Sequence, residues 1–143
     1  MTQNEKDLLL KDLCSRVPYG VKAISKIPIN QNESKKIVGQ ITSVHYNIGI
    51  VQMGGFDVIV DYNPYFEIKP YLFPLSSMTE EQKVEFDKMA ELDIEYTITQ
   101  IKNDAPNWTS GLSRFNWLLK NHFDVYGLIP MGLALDATGK NIY

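Results

Sequence analysis

Between residues 64 and 82 the chain reads Pro64-Tyr65-Phe66-Glu67-Ile68-Lys69-Pro70-Tyr71-Leu72-Phe73-Pro74-Leu75-Ser76-Ser77-Met78-Thr79-Glu80-Glu81-Gln82. Each of the three prolines fixes φ and removes a backbone donor, so neither a long helix nor a long strand runs through the segment. It crosses the fold as a short, ring-bearing strap. The strap ends where Thr79-Glu80-Glu81-Gln82 takes the form of a capping box, with a hydroxyl for an orphan amide and a glutamine three residues on to reach back. A helix from Glu80 to about Leu92 is predicted, with a thin apolar stripe at Phe86, Met89 and Ala90.

Ahead of the strap the pattern is helix and then strands. Leu9, Leu10, Leu13, Cys14 and Val17 recur at helical spacing over Gln3 to Val17, and Pro18 closes the run. Tyr19 to Ile27, Lys36 to Tyr46, Ile48 to Met53 and Phe56 to Tyr62 read as short strands. The last two are joined by Gly54-Gly55, a pair that supplies the positive φ of a tight hairpin. After the Glu80 helix, Ile94, Tyr96 and Ile98 alternate with polar residues, so Ile94 to Ile101 is predicted as a strand and Asn103 to Asn107 as a turn. A third helix begins near Ser110 with Leu112, Phe115, Leu118, Leu119 and His122 on one face, and Met131 to Leu135 makes a last short extended piece. The fold class is α+β: an N-terminal helix, a small antiparallel curled sheet or barrel-like meander, then two helices with an added strand.

At 143 residues the chain is one domain's worth and can bury a core without staples. Its single cysteine makes no internal disulfide and fits a reducing compartment. No apolar run reaches the length of a membrane span, and no basic-then-apolar leader opens the chain, so a cytoplasmic protein with no membrane partner is expected. Residues 1–70 hold eight Lys/Arg and seven Asp/Glu, whereas residues 71–143 hold six and ten. The acidic second half repels phosphate backbones, so any nucleic acid would approach the first half.

The strap, read as Lys-Pro-Tyr-Leu-x-Pro-Leu-Ser-Ser-Met-Thr-Glu-Glu, is followed by a second block, Trp117-Leu118-Leu119-Lys120-Asn121-His122-Phe123-Asp124-x-x-Gly127-Leu128-Ile129-Pro130-Met131-Gly132-Leu133-Ala134. Together they resemble a group of small uncharacterised proteins of gut Bacteroidetes and their phages and mobile elements. The likeness is close over residues 65–82 and 115–135 and loose elsewhere. Members often carry Arg where this chain has Phe73, and a Glu-Ala-Pro segment where it has Leu135-Asp136-Ala137-Thr138-Gly139. The resemblance implies a setting, the cytosol of a bacterial host and an accessory gene, rather than an activity.

The residues that could carry chemistry each have a structural reading beside the functional one. His122 and Asp124 would be a base and its orienter, or a helix cap with the imidazole on the last carbonyls; the cap is expected, because no nucleophile or ligand set accompanies them. His45 is expected to be a satisfied sheet histidine and Cys14 a small core residue. Asp57 and Asp61 share one face of a strand and could act as acid and base, but alternation with Val58 and Val60 predicts a solvated outer face. Thr138-Gly139-Lys140 is a terminal turn, and two histidines and one cysteine this far apart in sequence make no zinc site. No metal or cofactor is expected.

The rings of the strap remain. Tyr62, Tyr65, Phe66, Tyr71 and Phe73 are either core beneath the crossing, which the crossing itself favours, or a recognition surface. On the second reading the protein is a non-catalytic binding module that takes a protein partner through these five residues. A nucleic-acid or nucleotide binder, including a sponge for nucleotide signals, is the alternative, with Lys22, Lys26, Lys35 and Lys36 near phosphates and Tyr46 or Tyr62 on a base. A small enzyme using Asp57/Asp61 or His122/Asp124 is the third.

Overall fold

The computed structural model describes residues 1–30, 33–60, 67–89 and 112–143. Helix α1 spans Gln3–Arg16 and is opened by a reciprocal cap: the Thr2 hydroxyl accepts the Glu5 amide at 3.2 Å, and the Glu5 carboxylate accepts the Thr2 amide at 2.6 Å. Leu9, Leu10 and Leu13 are buried from it, but Cys14 is exposed, against the expectation of a core position. The buried stripe follows positions 9, 12, 13 and 16, and each helical step turns about 100°, which carries Cys14 off that face. Its inner places go to Asp12 and Arg16, both fully buried.

The chain also turns later than expected before its first strand. A single turn of 3-10 helix at Val17–Tyr19 and Gly20 at φ 70° redirect it, so β1 runs Lys22–Pro28. Strand β2 spans Ser34–His45, β3 Ile50–Met53 and β4 Phe56–Ile59. Gly54 and Gly55, at φ 57° and 83°, give the two positive values of a tight hairpin between β3 and β4. Strand β5 is Ile68–Leu72 and β6 is Leu135–Asp136. Together they form one six-stranded sheet in the order β4-β3-β2-β1-β5-β6, antiparallel throughout except for the parallel pair β5 and β6. A register shift between Ile41 and Ser43 kinks β2 and curls the sheet. The fold is α+β as expected, with a mixed sheet in place of a purely antiparallel one.

Proline inside β5 has a simple explanation. The Lys26 amide donates to the Glu67 carbonyl at 3.0 Å, so alternation makes Ala23 opposite Pro70 a non-hydrogen-bonded pair. The donor that Pro70 lacks would have pointed away from β1, and β6 joins β5 only from Tyr71 onward. Part of the strap is therefore a true sheet strand, five residues long.

Residues 80–89 form helix α2, and the capping box is formed as read: the Gln82 amide donates to the Thr79 hydroxyl at 3.2 Å, and the Thr79 amide donates to the Gln82 side chain at 2.9 Å. Helix α3 spans Leu112–Lys120. Trp117 and Leu119 are buried from it, and Phe115 and Leu118 are half-buried. The strand predicted at Ile94 to Ile101 and the turn at Asn103 to Asn107 lie outside the described residues. The core sits on the inner sheet face, where Ala23, Ile41, Val51, Met53, Val58 and Ile68 meet Leu9, Leu10 and Leu13 of α1 and Leu128, Leu133 and Ala134. Among the described residues no helix is long and apolar enough to cross a membrane.

Candidate binding groove on the outer sheet face

The strap's rings go inward where they are described. Tyr71 is 7% exposed; its carbonyl accepts the Tyr143 hydroxyl at 2.6 Å, and the Lys140 ammonium lies 5.9 Å from its ring. Phe73 is half-buried and bridges to the second block: its amide donates to the His122 carbonyl, and its carbonyl accepts the Asp124 amide. Its ring is 6.3 Å from Phe123 and 6.0 Å from Tyr143, and Phe123 stacks on Trp117. The strap and the block that begins at Trp117 are thus neighbours, joined through a continuous aromatic layer. Tyr62, Tyr65 and Phe66 lie outside the described residues.

His122 and Asp124 do not form a pair. His122 terminates α3 in the left-handed region, φ 60°. The Phe123 amide reaches back to the Leu118 carbonyl and the His122 amide to that of Leu119, the two bonds of a Schellman turn, usually closed by glycine. The imidazole does not bond the last carbonyls as expected. It stacks on the Tyr143 ring at 3.8 Å, and its Nδ1 is buried without a partner. Burial, with the Arg16 and Lys22 cations nearby, lowers its pKa to about 4. Burial likewise pushes the Tyr143 phenol up to about 12. Both Asp124 oxygens are occupied by the Leu128 and Ile129 amides at 2.8 Å.

Beneath this turn lies a polar cluster that the sequence did not announce. Arg16 donates through Nε and Nη2 to both oxygens of Asp12 at 2.8 Å, and through Nη2 to the Phe123 carbonyl at 2.7 Å. Burial pushes the Asp12 carboxyl up against the pull of Arg16, with Asp124 adding to the rise. Arg16 Nη1 is buried and unpartnered.

The remaining candidates lie at the surface or outside the described residues. His45 is exposed, with Nε2 3.4 Å from the Ser43 hydroxyl. Asp57 is exposed opposite Gln52, with Val58 and Val60 buried, as alternation requires; Asp61 is outside the described residues. Partial burial raises the Cys14 thiol pKa, the opposite of activation. Among the described residues no group of three or more metal-ligating side chains comes together.

What the strands do assemble is a groove of about 180 Å³ on the outer sheet face, lined by Ile24, Lys26, Lys36, Glu67, Lys69 and Leu135. Register places Lys36 directly opposite Lys26, and Lys69 opposite Ile24 on the other side. Paired residues share a face, so three lysines from β1, β2 and β5 converge around the aliphatic Ile24 and Leu135. Glu67 binds Lys69 at 2.7 Å and Lys26 at 3.2 Å. Lys69 beside it holds its carboxyl below the usual carboxylate range, and Lys26 adds to the effect. Val38, opposite Ile24, is 56% exposed and extends the apolar floor outward. Of the lysines singled out in sequence, Lys26 and Lys36 meet here. Lys35, opposite Ile27, belongs to the other face, and the Lys22 ammonium is engaged by the Ile142 carbonyl. Lys69 was missed, and only the pairing of β5 with β1 would have found it.

No family model, curated protein or solved structure matches the chain.

Proposed function

We propose that this protein is a non-catalytic binding module that takes an acidic, aliphatic-bearing segment of a protein partner across its outer sheet face. The supporting observation is the convergence of Lys26, Lys36 and Lys69 on an aliphatic floor, in a chain whose net charge is −3. Concentrating cations on one patch of an acidic protein favours encounter with an anion, and the floor supplies contact area that an isolated anion would not use. The mixed lining argues for peptide over nucleic acid. Glu67 stands among the lysines, and among the described residues no ring lines the groove on which a base could stack. The accessory setting implied by the resemblance suits a module of this kind. The strap serves it by placing Glu67 and Lys69, rather than through Tyr71 and Phe73.

A fluorescence anisotropy titration with a labelled peptide of repeated Glu-Leu-Glu-Ala units tests this, with a single-stranded thymidine oligonucleotide in parallel. Saturable peptide binding that weakens with salt and falls about tenfold or more in Lys26→Glu/Lys36→Glu is expected. Oligonucleotide binding without peptide binding would replace the proposal with the nucleic-acid reading.

A further inference from the structure

Helix α2 carries on its outward side the charge pattern that the groove would accept. Gln82, Phe86 and Met89 are half-buried, with the Phe86 ring 5.7 Å from Trp117, and the rest of the helix surface over residues 80–89 faces out. Glu81, Val84, Glu85 and Lys88 recur there at positions i, i+3, i+4 and i+7 and are all exposed, Val84 at 53%. The face therefore reads as an aliphatic side chain between two carboxylates, with an ammonium one turn on. The groove is its converse: aliphatic side chains among three ammoniums, with the Glu67 carboxylate at hand. Dimensions agree as well. Lys36 and Lys69 flank β1 from the two neighbouring strands, a span of roughly 10 Å, which is the width of a helix with its side chains.

We infer that the groove's occupant is helix α2 of a second copy of this chain, so that the protein associates with itself groove to helix. The inference rests on the groove reading above and adds the partner to it. Glu81 and Glu85 meet the lysines, Val84 meets Ile24, Val38 and Leu135, and Lys88 meets Glu67. Because the two surfaces are different patches of one molecule, the contact is heterologous and each added copy offers a further groove and helix.

Sedimentation velocity at low salt over a range of protein concentrations is the test. Wild type is expected to gain mass with concentration. The groove variant Lys26→Ser/Lys36→Ser and the helix variant Glu81→Gln/Glu85→Gln are each expected to lose at least tenfold in association while keeping the wild-type circular dichroism. An equal mixture of the two is expected to regain association, since one copy keeps the helix and the other the groove. A monomeric wild type at every concentration overturns the inference, as does a mixture no more associated than its components. If the Glu-Leu-Glu-Ala peptide still binds a monomeric wild type, only self-association falls; if it does not bind, the groove reading falls with it.

Discussion

Arg16 and Phe123, 107 positions apart in the chain, are joined by a 2.7 Å hydrogen bond from the guanidinium to the backbone carbonyl. The same guanidinium holds Asp12 bidentately with both side chains fully buried. Removing one partner leaves a buried charge uncompensated, so Arg16→Met is expected to cost about 3–5 kcal/mol in urea unfolding. The double change Asp12→Leu/Arg16→Met is expected to be less destabilising than Arg16→Met alone. A double variant at least as unstable as the single one would show that the ion pair is not the source of the loss.

His122 should make stability fall in acid. Its folded pKa of about 4 lies below the ordinary value of 6.5, so the folded state favours the neutral ring. Its contribution is fully present above about pH 6.5 and is lost as pH drops toward 4, because the unfolded chain takes up a proton first. Allowing for solvent screening, the loss is on the order of 1–2 kcal/mol. Asparagine tolerates the left-handed conformation, so His122→Asn is expected to flatten this part of the profile in thermal melts across that window. An unchanged slope would assign the acid sensitivity to carboxylates.

Thr79→Ala removes one half of the α2 cap and exposes the other. A loss of about 1 kcal/mol is expected. It should be concentrated in α2, read as faster amide exchange over residues 80–89 with the β1–β2 amides unchanged.

Glu67→Gln releases Lys26 and Lys69 from their shared carboxylate. Because these side chains are partly solvated, stability should move by less than about 0.5 kcal/mol. Affinity for the Glu-Leu-Glu-Ala peptide should rise several-fold, with a steeper salt dependence. Weaker binding would mean that Glu67 itself contacts the ligand.

Local chemistry was legible in the sequence, and long-range pairing was not. Thr79 and Gln82 declare their cap within four residues, and Gly54-Gly55 its hairpin, because both depend on near neighbours. Val58 and Val60 face inward for a similar reason: alternation is a property of one strand. Arg16 gives no local sign of its burial, because a buried arginine looks like a surface one until its partners are known, and one of those partners is at Phe123. Cys14 lies outside the core because the buried stripe of the first helix runs through the charged pair Asp12 and Arg16, which an apolar periodicity does not register. The groove is half visible in the sequence: Lys26 and Lys36 stand close together along the chain, but Lys69 joins them only through the β1–β5 register. Pro70 concealed that pairing by looking like a strand breaker.

The tie between Arg16 and Phe123 also sets an order of events at the ribosome. The strands from Lys22 to Ile59 pair with their sequence neighbours and can close soon after they emerge. The guanidinium of the first helix has no carbonyl to grip until residue 123 has been made. Vectorial synthesis thus leaves an early half whose most deeply sunk cation waits on the late half, and a chain cut short before the second block would keep that cation in water.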